Sequence, residues 1–262
     1  MTTNANAPVI LYEDATHKNV LLPEFGEGAA VQANQHLVID QGLGMILDPG
    51  GHKVYSKVLA ETMHQLHGSR AGGGQLQHIF LSHQDPDIVA AVNGWLMTTD
   101  ATAWVSALWV RFVPHFGLDR LVIDRLKPIP DEGAYLVLGD TELVFLPAHF
   151  LHSAGNFQVY DPRSKILYSG DLGGSIGRDY REVTDFDAHV SAMDGFHRRY
   201  MTSRAMMSAW VRMARTLDVE IIAPQHGAIF RGKEMVERFY AWAESFDCGV
   251  DVFASRLAVP PR

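Results

Sequence analysis

The feature that most constrains the fold of this chain is a set of aspartates and histidines placed where apolar segments end. Five segments rich in Ile, Leu and Val each lead into residues of metal-binding type. These are Asp48 in ILDPGG, His83, Asp85 and Asp87 in IFLSHQDPDI, His152 in LPAHFLHSAGN, Asp171 in ILYSGDLGG and His226 in IIAPQHG. Folds commonly place functional side chains in the loops at strand ends. Three histidines among several carboxylates therefore predict a dinuclear metal site.

Each of these residues also has a local explanation that needs no metal. Asp85 precedes Pro86, which is typical of a helix N-cap, and Asp87 suits the positive end of a helix dipole. Asp171 and His226 each lie in glycine-containing turn sequences. These explanations do not account for the recurrence of ligand types in the order H-x-D-x-D, H, D, H at successive strand ends. The joint pattern therefore favours the metal site.

The hydrophobic pattern predicts an α/β fold. Strands are predicted at 36–40, 44–48, 78–82, 103–107, 135–139, 142–147, 156–161, 165–170 and 219–224. Helices are predicted at 52–67, 86–98, 106–117, 186–198, 202–217 and 232–246. YLVLGDTELVFL and NFQVYDPRSKILYSG are predicted hairpins because they contain GD and DPRS turns. The two halves, 8–130 and 131–250, show the same pattern, which predicts two mixed β-sheets with helices on both outer faces, an αββα sandwich.

Composition and charge argue against several classes of protein. The net charge is −8, which argues against nucleic acid or an anionic membrane as the main partner. No run approaches the ~18 apolar residues of a membrane span, and the first nine residues do not resemble a signal peptide. The single cysteine, Cys248, excludes an intrachain disulfide and fits a reducing compartment. We expect a single cytoplasmic domain over 1–262.

The segments ILDPGG, LSHQDPD, HSAG, YSGDLG and PQHG resemble the metallo-β-lactamase superfamily, and they spread from residue 46 to residue 227. The αββα fold of that superfamily agrees with the hydrophobic pattern. Its hydrolases carry H-x-H-x-D-H, whereas this chain has Asp85 at the second histidine and Ile88 at the last. An acidic residue at the second position is what flavodiiron proteins and the related oxygen-binding di-iron proteins carry. The chain looks most similar to that branch.

The resemblance implies a role for each of six residues. Three hold the first metal, two hold the second, and one carboxylate bridges both metals. In that order they are His83, Asp85 and His152, then Asp87 and His226, then Asp171. Asp48 resembles the first-strand turn of the superfamily and is expected to be structural.

Two further positions follow from the same resemblance. His152 is preferred to His149 as a ligand because it directly precedes the Ser-Ala-Gly step. His149 is then expected close to the metals, either as a group that supports a ligand or as a catalytic helper in oxygen chemistry. Ile88 leaves the second metal with one nitrogen fewer than in many relatives.

The donor set favours two iron ions, with manganese or zinc as alternatives, because oxygen and imidazole ligands without thiolates suit Fe or Mn. Two metals that share a carboxylate can bind O2 between them or activate a bridging hydroxide. The resemblance therefore implies a di-iron protein that binds, senses or reduces O2. The alternative is a dinuclear hydrolase acting on a thioester, lactone or phosphodiester.

The expected partners follow from these alternatives. Flavodiiron proteins continue into a flavodoxin-like domain, but no FMN-binding loop of that kind is visible here, so O2 or NO reduction needs an external electron donor. A sensor needs a signalling partner instead, and the basic, Met-rich run at 197–215 is a candidate surface. The other interpretation of that run is an amphipathic helix that buries Met206, Trp210, Met213 and Leu217. The sequence leaves homodimerisation open.

Overall fold

Two facing β-sheets with helices on both outer surfaces make up the fold. The computed structural model describes residues 7–26, 32–68 and 73–260. In that part of the chain seven strands form the first sheet, and their order in space is their order in sequence. They are β1 (Val9–Glu13), β2 (His17–Leu21), β3 (His36–Asp40), β4 (Leu43–Leu47), β5 (Gln75–Phe80), β6 (Thr102–Ser106) and β7 (Leu126–Ile129).

The second sheet of the described residues has six strands. They are β8 (Ala134–Leu138), β9 (Thr141–Pro147), β10 (Phe157–Asp161), β11 (Ile166–Gly170), β12 (Ile221–Pro224) and β13 (Phe230–Arg231). Their spatial order is β13-β12-β11-β10-β9-β8. Both sheets are mixed: β4 to β7 pair in parallel, and so do β11 and β12, whereas the other neighbours are antiparallel.

The described residues also form seven α-helices. They are α1 (Tyr55–Gly68), α2 (Pro86–Val89), α3 (Val92–Thr98), α4 (Phe186–Tyr200), α5 (Arg204–Ala214), α6 (Lys233–Ser245) and α7 (Val250–Phe253). Short 3-10 helices occupy Val113–Phe116, Ile123–Arg125 and Ala254–Arg256. Apolar residues of α1, α2 and α3 pack with the first sheet, and those of α4, α5 and α6 pack with the second. None of the helices in the described ranges has the length and apolar character needed to cross a bilayer.

The alternation of side chains along each strand produces the layers. In β3, Leu37 and Ile39 pack in the layer between the first sheet and its helices, whereas Val38 packs between the two sheets. Phe80 of β5 and Phe145 of β9 meet in that middle layer, with ring centroids 5.2 Å apart. Because both faces of the central strands are covered, these strands appear in the sequence as continuous apolar runs.

The structure confirms the predicted αββα sandwich and its division into halves. Strand β7 ends the first sheet at Ile129 and β8 opens the second at Ala134, on either side of the predicted boundary. Both predicted hairpins are present as the antiparallel pairs β8–β9 and β10–β11.

Two helix predictions differ from the structure. The predicted helix at 86–98 is divided into α2 and α3, because the backbone at Ala91 leaves the helical region. The predicted helix at 106–117 is wrong: turns lead into the short 3-10 helix Val113–Phe116, which contains Pro114 and ends at the left-handed Gly117. Proline and glycine both oppose a longer α-helix there. Strands β1, β2, β7 and β13 have no counterpart among the predicted strands.

Candidate metal centre

The structure brings together the six residues that the sequence predicts as metal ligands. Each follows β5, β9, β11 or β12 in the sequence: five lie in loops, and Asp87 lies in the first turn of α2. They are His83, Asp85 and Asp87 after β5, His152 after β9, Asp171 directly after β11 and His226 after β12. These six residues are called the His/Asp cluster below.

The loop after β5 does not use its carboxylates for helix capping. Asp85 occupies the N-cap position of α2 and Pro86 its first turn, as the local explanation requires. The side chain of Asp85 nevertheless makes no capping hydrogen bond. Its Oδ2 lies 3.6 Å from Nε2 of His83 instead. Helix capping therefore accounts for the backbone at Asp85 but not for the direction of its carboxylate.

One group of donor atoms surrounds Oδ2 of Asp171. Nε2 of His152 lies 2.8 Å from this oxygen. Nε2 of His83 lies 3.2 Å from Nε2 of His152. Oδ2 of Asp85 lies 3.5 Å from the same nitrogen of His152. Nitrogen and oxygen donors bind an ion at about 2 Å, so donors of one ion lie roughly 3–4 Å apart. His83, His152 and Asp171 have the spacing needed to hold one metal ion, and Asp85 lies beside the two histidines.

A second group faces the other oxygen of Asp171. Nε2 of His226 lies 3.3 Å from Oδ1 of Asp171 and 3.7 Å from Oδ2 of Asp87. The amide of Gln225 donates a hydrogen bond of 3.3 Å to Oδ2 of Asp87. The two oxygens of a single buried carboxylate thus face two separate sets of donors, which is the geometry expected of a carboxylate bridging two ions.

One buried atom of the cluster supports a cation between these groups. Oδ1 of Asp171 is buried, yet it accepts no hydrogen bond. Nε2 of His226 lies 3.3 Å from this oxygen without forming a hydrogen bond, and a metal ion between the two atoms would give the oxygen a stronger partner. Imidazoles and carboxylates without a thiolate form a donor set that suits iron or manganese. The residues present therefore fit a pair of metal ions.

Neighbouring groups orient two of the imidazoles. Nδ1 of His83 lies 2.9 Å from the hydroxyl of Ser82, and Nδ1 of His226 donates to the carbonyl of Gln32 over 2.6 Å. The loop of His226 is also held by Asn34, whose side-chain amide donates hydrogen bonds to the carbonyls of Pro224 and Gly227. Such contacts direct Nε2 toward a metal. The sequence analysis missed these supporting residues; only Ser82, next to His83, had a signal in the motif.

Burial and charge act in opposite directions on the pKa values of the cluster. Burial lowers the pKa of His152, but hydrogen bonds to Asp171 and Asp85 outweigh it and raise this pKa to about 9. Burial likewise lowers the pKa of His226, but the contact with Asp171 outweighs burial and raises this pKa to about 9. Burial works to raise the pKa of Asp171, yet the two histidines hold it well below its ordinary value. Burial raises the pKa of Asp87. At neutral pH and without metal, His152 and His226 are therefore expected in the doubly protonated, positively charged form.

A cavity of about 420 Å³ opens onto the cluster. Phe196 and Tyr200 of α4 line one side, with their rings stacked 4.8 Å apart. The ring of Tyr200 meets His152 edge-on, with centroids 5.5 Å apart. Ile176 lines the cavity as well. The wall next to the cluster is thus largely aromatic and aliphatic, which favours small apolar ligands.

His149 does not lie where the sequence analysis expected it. Its Nε2 is 2.9 Å from the carbonyl of Asp131, and its ring packs edge-on against Phe157. It lines a different cleft, with Met206 and Trp210. No contact of His149 within the described ranges reaches the cluster. The loop after β9 directs its two histidines to different sides, so only His152 joins the other ligand-type residues.

Asp48 and Ile88 have structural positions. Oδ1 of Asp48 accepts a 2.8 Å hydrogen bond from the backbone of Ser82, which fixes the start of the loop after β5. This contact agrees with the structural role expected for Asp48. Ile88 is fully buried among the apolar residues between the first sheet and α1 to α3. Its side chain therefore belongs to the core and does not line the cavity described above.

Comparison with known proteins identifies relatives of the whole chain. The family model described as ODP family beta lactamase matches residues 31–227. Two solved structures are described as the peroxy diiron species of the chemotaxis sensor ODP and as the apo state of that sensor from T. denticola. Each is 39% identical to this chain with a TM-score of 0.82, and each covers 95% of it. The chain covers 100% and 99% of them, respectively.

More distant relatives are longer than this chain. An uncharacterised protein of Methanocaldococcus jannaschii is 26% identical over 176 residues, which are 64% of this chain and 43% of that protein. The flavodiiron protein from Giardia intestinalis has the same fold, with a TM-score of 0.70 at 18% identity over 83% of this chain and 52% of its own. The chain spans about half or less of the length of these two proteins. It belongs to the ODP beta-lactamase family.

Proposed function

We propose that this chain is a non-haem di-iron protein that binds O2 at the His/Asp cluster, and that O2 binding serves a sensing role. One iron is held by three residues and the other by two, with one carboxylate shared. These residues are His83, Asp85 and His152, then Asp87 and His226, and the shared Asp171.

The observation that carries this proposal is the position of the Asp171 carboxylate. Its Oδ2 lies 2.8 Å from His152 and its Oδ1 lies 3.3 Å from His226, so the two oxygens point to different donor groups. The buried Oδ1 accepts no hydrogen bond from the protein. A single metal ion would leave one of these two groups unused.

Similarity supports sensing over reduction. The relative that is 39% identical is described as a chemotaxis sensor with a diiron species, and this chain covers that sensor's chain from end to end. Binding a ligand needs no electron donor. We therefore favour a signalling partner over an external reductase as the macromolecule that meets this chain.

When bound, the iron pair supplies the capacity to bind and activate O2. The protein's own residues prepare the site for it. Ser82 and Gln32 hold the imidazoles of the cluster in orientation. Phe196 and Tyr200 provide a cavity wall that a small apolar molecule can enter. Asp87 is half-exposed in this cavity, and its carboxylate keeps one side of the site polar.

The metal content and the response to air test this proposal. Protein expressed in iron-replete medium and purified without oxygen is expected to contain about two irons per chain, because the cluster offers two donor groups. Exposure to air is expected to produce a new absorption band. A zinc-loaded sample of the same chain, which has no redox chemistry, serves as the control.

The opposite result is equally specific. Stoichiometric zinc after expression in iron-replete medium, without an O2-dependent spectral change after reconstitution with iron, contradicts the di-iron proposal. That result would favour a dinuclear hydrolase acting on a thioester, lactone or phosphodiester.

Metal binding is expected to tighten as the pH rises from about 6.5 to about 9. His152 and His226 have pKa values raised to about 9 in the metal-free protein, and a metal binds only the deprotonated imidazole. In the metal-free protein, the protonated form of these two imidazoles also stabilises the folded state. This stabilisation is fully present below their ordinary pKa of about 6.5 and is lost as the pH rises through 9. Competition with a chelator across this range, corrected for the chelator's own titration, measures the affinity. A flat affinity profile would contradict the prediction.

A further inference from the structure

A buried histidine outside the His/Asp cluster binds the turn that carries Asp171. His197 lies in α4, and its Nδ1 is 2.9 Å from the carbonyl of Met193, one turn earlier in the helix. Its Nε2 is 2.9 Å from the backbone nitrogen of Gly173. A carbonyl can only accept and an N–H group can only donate, so the ring is neutral with its proton on Nδ1. Burial agrees with this, because it lowers the pKa of His197 to about 4.

The turn after β11 depends on this contact. The N–H of Leu172 donates to the carbonyl of Ser169, and the N–H of Gly174 donates to the carbonyl of Asp171. Between them lies the N–H of Gly173, a buried residue with a φ of +89°. Its acceptor is the imidazole from α4. Because an unpaired buried N–H is costly, loss of that imidazole would favour rearrangement of the turn.

The position of His197 is itself fixed by its neighbours. Trp242 of α6 packs edge-on against its ring, with centroids 5.0 Å apart. The adjacent residue, Phe196, lines the cavity over the His/Asp cluster. Helix α4 thus touches the site twice: it covers the cavity and it supplies an acceptor to the turn behind Asp171.

We infer that His197 is a positioning residue for Asp171, which through its bond to Gly173 holds the carboxylate at the angle that lets its two oxygens face two metals. This inference rests on the proposed metal centre. Within the described residues, His197 makes no hydrogen bond or ring contact with any of the six cluster residues, so its effect passes through the turn. The residue does not bind metal itself, since both of its ring nitrogens are already engaged.

The test compares substitutions at His197 by metal titration of the metal-free full chain. His197→Phe keeps a ring but removes the acceptor, and it is expected to weaken metal binding by about 10–100-fold, the usual effect of losing a group that orients a ligand. His197→Gln places an amide oxygen near the former Nε2 and is expected to recover most of the affinity. Titrations with Mn²⁺ and with Zn²⁺ measure this effect independently of O2 chemistry.

A matched control lies on the same helix. His189 is also fully buried, and its Nδ1 is bonded to the hydroxyl of Tyr180 and not to the turn. His189→Phe removes a comparable polar group from α4, so it is expected to lower stability without changing metal affinity. Equal losses of affinity in His189→Phe and His197→Phe would mean that α4 matters only through general stability, which would overturn the inference.

Two further results separate the possible failures. If His197→Phe does not fold, His197→Met, which has similar length but no strong acceptor, takes its place against His197→Gln. Wild-type affinity in the variant without an acceptor overturns the positioning role while leaving the metal centre intact. A wild-type chain that binds neither Mn²⁺, Zn²⁺ nor iron overturns the proposed function and this inference together.

Discussion

Asp171→Ala is expected to reduce the metal content from about two ions per chain to nearly none. Asp171 is the one residue of the cluster whose two oxygens face both donor groups, at 2.8 Å from His152 and 3.3 Å from His226. A bridging carboxylate serves two cations, whereas a terminal ligand serves one. His226→Ala is therefore expected to empty mainly the second site. Elemental analysis of both variants, purified in the same way, measures the difference.

A second measurement checks the role of Asp171 without any metal. Contacts with Asp171 raise the pKa of His152 and of His226 to about 9. In metal-free Asp171→Ala both pKa values should fall, which NMR titration of the imidazoles can follow. Asp161→Ala is the matched control, because Asp161 is also a buried aspartate bonded to a histidine, His17, outside the cluster. Two metals retained in Asp171→Ala would show that the bridging role is wrong.

Ile88→His is expected to destabilise the chain by roughly 2–4 kcal/mol and to leave the second site no tighter. In the sequence analysis, the resemblance implied that Ile88 leaves the second metal with one nitrogen fewer than in many relatives, so a histidine there would be expected to tighten the second site. Ile88 is instead fully buried in the core between the first sheet and its helices. An imidazole there loses apolar packing and has to bury polar nitrogens. Denaturant unfolding and metal titration of the same sample measure the two effects.

The control for this change is Ile88→Val. It removes one methylene group from the same core position and is expected to cost about 1 kcal/mol, with unchanged metal binding. If Ile88→His kept its stability and bound the second metal more tightly, the side chain at 88 would reach the site. The core position described for Ile88 would then be incorrect.

The proximity of the six residues of the His/Asp cluster could be predicted because each lies within a few residues of a strand end. A strand end has a fixed place in a sheet, so Asp171 and His226, which follow the parallel strands β11 and β12, must be close in space. The αββα layers were predictable for a similar reason. Strands such as β3 are covered on both faces and therefore leave an uninterrupted apolar run in the sequence.

Features that depend on distant contacts could not be predicted in this way. The carbonyl of Gln32 and the ring of His197 support the site from segments that are remote in sequence. The residues next to them in the sequence contain no motif that predicts these contacts. His149 illustrates the same limit within a loop: the sequence places it three residues before His152, but the backbone turns it toward Asp131. The direction of a side chain in an irregular loop depends on how the loop packs in the folded protein. A sequence pattern carries no information about that packing.

The separation of the cluster along the chain has a consequence for biosynthesis. Its first three members come from the half that forms the first sheet, and the last, His226, is added only after most of the second sheet has been synthesised. A growing polypeptide can therefore not complete either donor group before Asp171 has left the ribosome, nor the second group before His226 has. If the cluster holds the proposed ions, they can be bound by both groups only late in the synthesis of this chain.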